Sequence, residues 1–261
     1  MPGAYLAELI ALPLLPLLSW QGKRTRANTP RLPEASGSPH GLCTFTGANN
    51  ANDQTLRLIS IGESTVAGVG VDTYEQSITG QFAQQLSAQL KTNVAWQALG
   101  KNGADIAEGI ATLLPQLPDA SPSPDILLIA FGVNDTTAFR SNTAFRANLT
   151  QLIDALEKRL SPKLILISGV PPMHAFPALP QPLRMVLGLK ARSLDKVARQ
   201  LATERPGLLH VPTDLDIQDT TLMAHDGYHP SVKGTQAWGL QLTNAYLNAQ
   251  TNRAINSGRN P

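Results

Sequence analysis

The sequence predicts an α/β protein, a three-layer α/β/α sandwich around a parallel sheet of about five strands. Short apolar runs, typical of buried strands, alternate along the chain with longer amphipathic stretches, typical of helices. Strands that alternate with helices are joined by right-handed crossovers, and these cover both faces of a parallel sheet. The length of 261 residues suits one such domain with an additional segment.

The order of the predicted elements follows from these runs. The predicted strands are Leu56–Ile61, Val94–Leu99, Ile126–Phe131, Leu164–Ser168 and Leu208–Val211. The predicted helices are Ser77–Leu90, Ile106–Leu117, Ala144–Leu160, Leu183–Glu204 and, at the end of the chain, Ser231–Asn248. No internal repeat is present.

Composition and charge argue against several classes of function. The formal net charge is only +2, and the basic residues are scattered without interleaved aromatic residues, which does not suit nucleic-acid binding. The only cysteine, Cys43, has no partner for an intramolecular disulfide. No Cys or His residues have the spacing of metal ligands, so we expect no metal and no cofactor.

The beginning of the chain has a composition of its own. Residues 4–20 are nearly all apolar, and Lys23, Arg24, Arg26 and Arg31 follow them. A secretory signal has its basic residues before the apolar run and a small-residue cleavage site after it, and neither is evident here. The segment is therefore either a membrane anchor, shallow or spanning, or an apolar helix docked on its own domain or on a partner. The basic cluster favours the cytoplasmic face, so we expect a cytoplasmic protein, with or without membrane attachment.

Candidate functional residues fall at one edge of the predicted sheet. Ser64 follows the first strand, Gly103 the second, Asn134 the third, and Asp226 with His229 the fifth. Ligands of parallel α/β sheets bind at the carboxyl ends of the strands. Unrelated surface residues would not all fall at this edge so readily, so we interpret the set as one site.

Three of these residues have the chemistry of a catalytic triad. A serine hydroxyl such as that of Ser64 needs an imidazole to take its proton and a carboxylate to orient the imidazole. His229 precedes Pro230 at the entrance of the last predicted helix, and Asp226 lies three residues before it. His225 is a competing base beside the same aspartate, but it lacks the anchor at the helix entrance.

Ester cleavage also needs hydrogen-bond donors for the negative charge that develops on the carbonyl oxygen. The candidates are the backbone N–H groups of Ser64 and Gly103 and the side-chain amide of Asn134. A glycine at position 103 lets a substrate approach the backbone closely. Taken alone, Gly103 is more typical of a helix-entry turn than of an oxyanion donor. Asn134 is the stronger candidate, with an Asx turn or a helix cap as its alternative.

Four motifs in this order resemble the four blocks of the SGNH hydrolase superfamily, also called GDSL esterases and lipases. They are Gly62-Glu63-Ser64, Gly100-Lys101-Asn102-Gly103, Gly132-Val133-Asn134-Asp135 and Asp226-Gly227-Tyr228-His229. The resemblance covers roughly residues 56–247 and implies a flavodoxin-like SGNH fold without a metal. It also implies Ser64 as nucleophile, Asp226 and His229 as its partners, and Ser64, Gly103 and Asn134 as the oxyanion hole. Glu63 stands where the family usually has Asp.

The expected organisation and function follow. We expect an apolar segment at residues 1–22, a linker rich in Pro, Gly and Ser at 23–52, the SGNH hydrolase domain at 53–250 and a polar tail at 251–261. The resemblance implies a serine esterase that cleaves small-molecule or lipid esters through an acyl-enzyme intermediate. Two alternatives stay open, a catalytically silent module that binds a ligand or partner and an acyltransferase that uses the same triad. The apolar, proline-rich segment 170–177 is either a wall of an acyl pocket or a rigid connector.

Overall fold

One six-stranded sheet forms the centre of the protein in the computed structural model, which describes residues 6–46, 55–117, 123–214 and 219–257. The strands are β1 (His40–Cys43), β2 (Leu56–Gly62), β3 (Val94–Gly100), β4 (Ile126–Ala130), β5 (Leu164–Ser168) and β6 (Leu208–Val211). Their order across the sheet is β1-β3-β2-β4-β5-β6. β1 runs antiparallel to β3, and the other neighbouring pairs are parallel. Because β3 and β4 lie on opposite sides of β2, the winding of the chain reverses beside β2.

Helices cover both faces of this sheet. They are α1 (Leu6–Asn28), α2 (Ile78–Leu90), α3 (Ile106–Thr112), α4 (Val133–Thr137), α5 (Asn142–Leu160), α6 (Leu183–Glu204) and α7 (Val232–Ser257). One hydrophobic core contains side chains of α1, α3, α5 and α6, and a second contains side chains of α2 and α7. The predicted three-layer α/β/α sandwich is confirmed, with six strands where about five were expected.

The central strands explain why the apolar runs predicted the sheet. Every residue of β4 and β5 is buried. In β4, Leu127 and Ile129 belong to the first core, whereas Ile126 and Leu128 belong to the second. Alternate side chains of a strand point to opposite faces, so a strand covered on both faces has to be apolar throughout.

Helix α1 is docked on its own domain. Ala7, Ala11 and Leu18 are buried on the side of α1 that packs on α6. The Glu8 carboxylate forms an ion pair of 2.6 Å with the ammonium group of Lys190, whose side chain is 0% exposed. This arrangement corresponds to the docked-helix interpretation of the N-terminal segment. Among the described helices, none has both the length and the apolar character needed to cross a bilayer.

The boundaries of the N-terminal and C-terminal segments differ from the expected ones. Helix α1 continues to Asn28, and β1 lies inside the segment predicted to be a linker. β1 has only four residues, all exposed or half-buried, so it lacks the apolar run that predicts a strand. Helix α7 continues to Ser257, into the predicted tail. Residues 47–52 of the predicted linker and residues 258–261 of the predicted tail lie outside the described residues.

Candidate active site

Ser64 lies in the loop that follows β2, at the centre of the sheet. The N–H group of Glu63 donates to the carbonyl of Ala130 in β4 at 3.0 Å, which ties the start of this loop to the neighbouring strand. A Cβ at Gly62 would lie 2.4 Å from the carbonyl oxygen of Ala130. Only glycine fits that space, so Gly62 determines how the chain leaves the strand two residues before Ser64.

Asp226 and His229 form a tightly bonded pair in the turn before α7. The Nδ1 atom of His229 lies 2.6 Å from Oδ2 of Asp226. The other carboxylate oxygen, Oδ1, accepts hydrogen bonds from the backbone N–H groups of Tyr228 at 2.9 Å and His229 at 3.0 Å. Gly227, between them, has a φ of +63°, a left-handed conformation that glycine adopts most readily. With Nδ1 held as the donor to Asp226, Nε2 of the imidazole is the atom available as a base.

Ser64 and His229 line the same cavity. Among the described residues, the Ser64 hydroxyl makes no hydrogen bond. The hydrogen bond between this hydroxyl and the His229 imidazole is therefore not formed in this structure. Catalytic hydrogen bonds are often long without substrate and tighten in the substrate complex. His225 is exposed, and the Asp226 carboxylate is bonded to His229. The geometry therefore favours His229 over His225 as the base.

Glu63, immediately before the nucleophile, is buried and attached to the start of α4. Its Oε1 atom accepts a hydrogen bond from the backbone N–H of Val133 at 2.9 Å. Its Oε2 atom accepts from the backbone N–H of Asn134 at 3.0 Å and from the Asn134 side-chain amide at 2.6 Å. One carboxylate thus satisfies N–H groups at the amino end of α4 and also holds the Asn134 side chain.

Both hydrogens of the Asn134 side-chain NH₂ group have an acceptor in this structure. Besides its bond to Glu63, its Nδ2 atom donates to the backbone carbonyl of Ala104 at 3.1 Å. An amide nitrogen has two hydrogens, so a hydrogen bond to an oxyanion must replace or share one of these contacts. The longer contact with Ala104, to a neutral carbonyl, is the weaker of the two.

Gly103 lies in the loop after β3, where it is exposed. Its φ is +83°, and no described atom outside Gly103 and its two chain neighbours lies within 4 Å of the position that a Cβ would occupy. The conformation, and not a lack of space, is therefore what favours glycine at this position. Among the described residues, no acceptor is bonded to the backbone N–H group of Gly103 or of Ser64. Both groups are free to donate to a ligand.

The cavity beside Ser64 is lined mainly by apolar side chains from several separate stretches of the chain. The lining residues beyond Ser64 and His229 include Val133, Pro171, Pro172, Ala175, Phe176, Leu222, Met223 and Trp238. Four of these belong to the segment 170–177. This segment therefore forms one wall of the cavity, as in the first of the two interpretations given for it from the sequence. Leu222, Met223 and Trp238 were not identified from the sequence, because no local pattern marks them.

Burial affects the ionisable groups of the site in different directions. Burial raises the pKa of Glu63 to about 7, although its hydrogen bonds from Asn134 and Val133 act in the opposite direction. Burial also acts to raise the pKa of Asp226, but hydrogen bonds from His229 and the backbone outweigh it and leave this pKa below its ordinary value. Burial, with the nearby carboxylate of Glu63, raises the pKa of Tyr228.

A second Asp–His pair lies outside the cavity. Nε2 of His210, in β6, lies 2.8 Å from Oδ1 of Asp195, in α6. The same oxygen accepts a hydrogen bond from the backbone N–H of Val170 at 3.0 Å. Among the described hydrogen bonds, none joins a serine to this pair, and its contacts connect β6, α6 and the loop after β5. Within the described ranges, no three His, Cys, Asp or Glu side chains are grouped as metal ligands.

A serine, an Asp–His pair and free backbone donors at the carboxyl edge of a doubly wound sheet are features of the serine hydrolases with α/β folds. The family model of the GDSL-like lipase/acylhydrolase family matches residues 60–237. The chain belongs to this family, and the resemblance found in the sequence is confirmed.

Solved structures show the same fold at low sequence identity. A lipase from a goat rumen metagenome has a TM-score of 0.56 and 17% identity, over 73% of this chain and 97% of that one. A lipase/acylhydrolase from Enterococcus faecalis has a TM-score of 0.54 and 20% identity, over 73% and 94%. A salicylyl-acyltransferase from a tetracycline biosynthetic pathway has a TM-score of 0.52 and 14% identity, over 76% and 56%. Among curated proteins, no sequence matches this chain.

Proposed function

We propose that this protein is a serine esterase that hydrolyses carboxylic esters through an acyl-enzyme intermediate. The observation that carries the proposal is the 2.6 Å bond between His229 and Asp226 on the wall of a cavity that Ser64 also lines. A buried carboxylate that orients an imidazole beside a serine matches the requirements of nucleophilic catalysis. Family membership and esterase and lipase structural neighbours support the same reaction class.

The chemistry assigns one role to each group. The Ser64 hydroxyl oxygen attacks the ester carbonyl carbon, and Nε2 of His229 takes the hydroxyl proton. As the tetrahedral intermediate collapses, the bond to the alcohol oxygen breaks, and the imidazolium returns the proton to the leaving alcohol. Water then attacks the acyl-enzyme by the same route, which releases the acid and restores the Ser64 hydroxyl. Asp226 stays ionised throughout and stabilises the imidazolium of His229.

The oxyanion donors in this proposal are the backbone N–H groups of Ser64 and Gly103 and the Asn134 amide. The first two are free to donate, and Asn134 exchanges its contact with Ala104 for one with the oxyanion. Preorganised donors of this kind are worth roughly 10² to 10³ in kcat each.

The cavity suggests which part of the substrate it receives. Its lining is mainly apolar, with Phe176, Leu222 and Trp238 among its walls. An apolar wall beside the nucleophile suits the hydrocarbon part of an acyl group. Small-molecule and lipid esters both meet this requirement.

Transfer of the acyl group to an alcohol is the second candidate function. The same cavity would hold the acyl group in such a reaction, and one structural neighbour is named as an acyltransferase. In that reaction an acceptor alcohol replaces water in the second step. Analysis of products with and without an acceptor alcohol separates the two reactions, because only transfer yields a new ester.

Covalent labelling with a fluorophosphonate tests the proposal directly. The Ser64 oxygen attacks phosphorus and fluoride leaves, a reaction that requires a serine activated by a base. We expect one adduct per chain, on Ser64, and no adduct in Ser64→Ala or His229→Ala. His225→Ala is the matched control and should label like the wild type. A folded protein that takes no label favours the catalytically silent binding module. In that case the Glu63→Asp variant, which has the usual family residue, is the next protein to treat with the fluorophosphonate.

A further inference from the structure

The side of α1 that faces away from α6 carries large apolar side chains in solvent. We call it the outer face of α1 and define it by Leu9, Leu12, Leu15, Leu17 and Trp20, of which Leu9 is 66%, Leu12 68% and Trp20 54% exposed. The other large exposed hydrophobic residues of the described ranges are Leu42, Met185 and Leu240, each on a different element. Single exposed apolar residues are ordinary, but a contiguous group on one helix marks an interaction surface.

The rest of the protein covers only one side of α1. Ala7, Ala11 and Leu18 are covered, and α6 packs on that side of α1. A helix that is apolar around its whole circumference is normally covered around its whole circumference. The outer face of α1 therefore lacks a covering layer that its composition demands.

The charged residues of α1 indicate what covers its outer face. The basic residues Lys23, Arg24 and Arg26 are all exposed in the last turns of α1. The only acidic residue of the helix, Glu8, is paired with Lys190. Trp20 lies where the apolar part meets the basic part, and the guanidinium of Arg24 lies 5.2 Å from the centre of its ring. This pattern matches an anionic phospholipid surface. Leucines enter the boundary of the acyl chains, a tryptophan lies at the level of the headgroups, and the cations contact the anionic headgroups.

The prolines of α1 suit a position at the surface of a bilayer. Pro13 and Pro16 lie inside the helix and have no backbone N–H. The carbonyls of Leu9 and Leu12, four residues earlier, therefore lack the helical hydrogen bond. Water and lipid headgroups satisfy such carbonyls at the interface, whereas the hydrocarbon core does not.

The basic end of α1 also adjoins the candidate active site. Trp20, Arg24 and Asp226 line one cleft. Arg26 is close enough to Tyr228 to lower its pKa against the opposing effect of burial. A lipid surface bound to α1 would therefore lie next to the turn that contains Asp226 and His229.

We infer that the outer face of α1 docks the protein on anionic phospholipid membranes, with the helix lying in the plane of the interface. This inference does not depend on ester hydrolysis. The catalytically impaired Ser64→Ala protein should therefore bind vesicles as the wild type does.

Co-sedimentation with vesicles tests the inference. The full-length protein should bind vesicles of phosphatidylcholine mixed with phosphatidylglycerol more strongly than vesicles of phosphatidylcholine alone, and added salt should weaken the binding. The double variant Leu9→Gln/Leu12→Gln should lose roughly tenfold or more in partition coefficient, because two leucines no longer enter the interface. Lys23→Gln/Arg24→Gln should lose roughly fivefold per residue on the anionic vesicles and little on the neutral ones.

The matched control is Leu42→Gln/Leu240→Gln, which replaces two leucines that are 57% and 41% exposed on β1 and α7. It should bind like the wild type. Leu9→Gln/Leu12→Gln and the control should keep the wild-type melting temperature and the wild-type activity on a water-soluble ester. Equal binding by the α1 variant and the control would overturn the inference. So would a wild-type dimer in sedimentation velocity that Leu9→Gln/Leu12→Gln turns into a monomer, because the occupant of the outer face would then be a second copy of the chain.

Discussion

Two buried carboxylates belong to the candidate active site, Asp226 and Glu63, and they differ in the groups to which they are hydrogen-bonded. Asp226 shares its oxygens between the imidazole of His229 and two backbone N–H groups. Glu63 binds the amino end of α4 and the amide of Asn134, and no cationic side chain is among its described hydrogen-bond partners. Accordingly, the pKa of Asp226 lies below its ordinary value, whereas that of Glu63 is raised to about 7.

This difference shows that burial alone does not decide whether a carboxylate stays ionised. Asp226 is stabilised as an anion by a group that becomes cationic during the proposed reaction, so its charge serves the transition state directly. Glu63 holds the side chain of Asn134 and makes no described hydrogen bond to Ser64 or His229. We therefore expect an electrostatic role for Asp226 and a positioning role for Glu63, and variants should separate the two.

Asp226→Asn should have the largest effect. The amide no longer fixes the tautomer of His229 or stabilises its charged form, so kcat should fall by roughly 10³ or more. Steady-state kinetics on a chromogenic ester measure this. The matched control is Asp195→Asn, which breaks the Asp–His pair outside the cavity. It should lower the melting temperature and leave kcat nearly unchanged, and an equal loss of kcat in both variants would argue against a special role for Asp226.

Asn134→Ala should rank second. If its amide donates to the oxyanion, kcat should fall by roughly 10² to 10³ with a smaller change in KM, because that contact strengthens in the transition state. Asn102→Ala is the control, since Asn102 is exposed in the Gly103 loop. A rise in KM alone would identify Asn134 as a substrate-binding residue instead.

Glu63→Gln should have a smaller effect on kcat, roughly 10-fold to 10²-fold, with KM little changed, because it acts through Asn134. The new amide group faces N–H donors, which leaves at least one buried donor unsatisfied at a cost of about 1–3 kcal/mol. Glu63→Asp keeps the charge and should retain more activity than Glu63→Gln. Kinetics and thermal melts check both variants. Equal losses of kcat in Glu63→Asp and Glu63→Gln would mean that the charge of residue 63 is unimportant.

The smallest effect is a pH dependence of stability that only one of the two carboxylates should produce. The pKa of Glu63 rises from 4.5 to about 7 on folding, so between these values the folded protein holds a proton that the unfolded chain has released. Stability relative to Glu63→Gln should therefore fall as pH rises through this window and level off above about pH 7. Melting temperatures of the two proteins across the window measure the difference.

Asp226 itself should not contribute to this pH dependence. Its pKa is lowered from 3.8, so it is ionised in both the folded and the unfolded chain throughout the window. Its carboxylate therefore takes up no proton on folding there. A constant stability difference between the wild type and Glu63→Gln across the window would show that Glu63 ionises at its ordinary pKa.

Local sequence patterns determined the sheet and the set of candidate residues. The five apolar runs from residue 56 onward are strands in the structure, because a strand buried on both faces must be apolar along its length. The rule that ligands bind at the carboxyl edge then brought Ser64 and His229 together without any knowledge of distances, and the structure places both on one cavity.

Only the tertiary structure decided the features that depend on partners distant in the sequence. β1 exists because the exposed edge of β3 accepts a strand that has no apolar run of its own. The charge of Lys190 tolerates burial because Glu8, 182 residues away, neutralises it, and this pair belongs to the contact that docks α1. The hydrogen bond from Asn134 to Glu63 likewise joins the loop after β2 to the start of α4, between residues 71 positions apart. Periodicity and motifs act over one element, whereas the pairing of strands, buried charges and hydrogen-bond donors is settled by which elements the folded chain brings into contact.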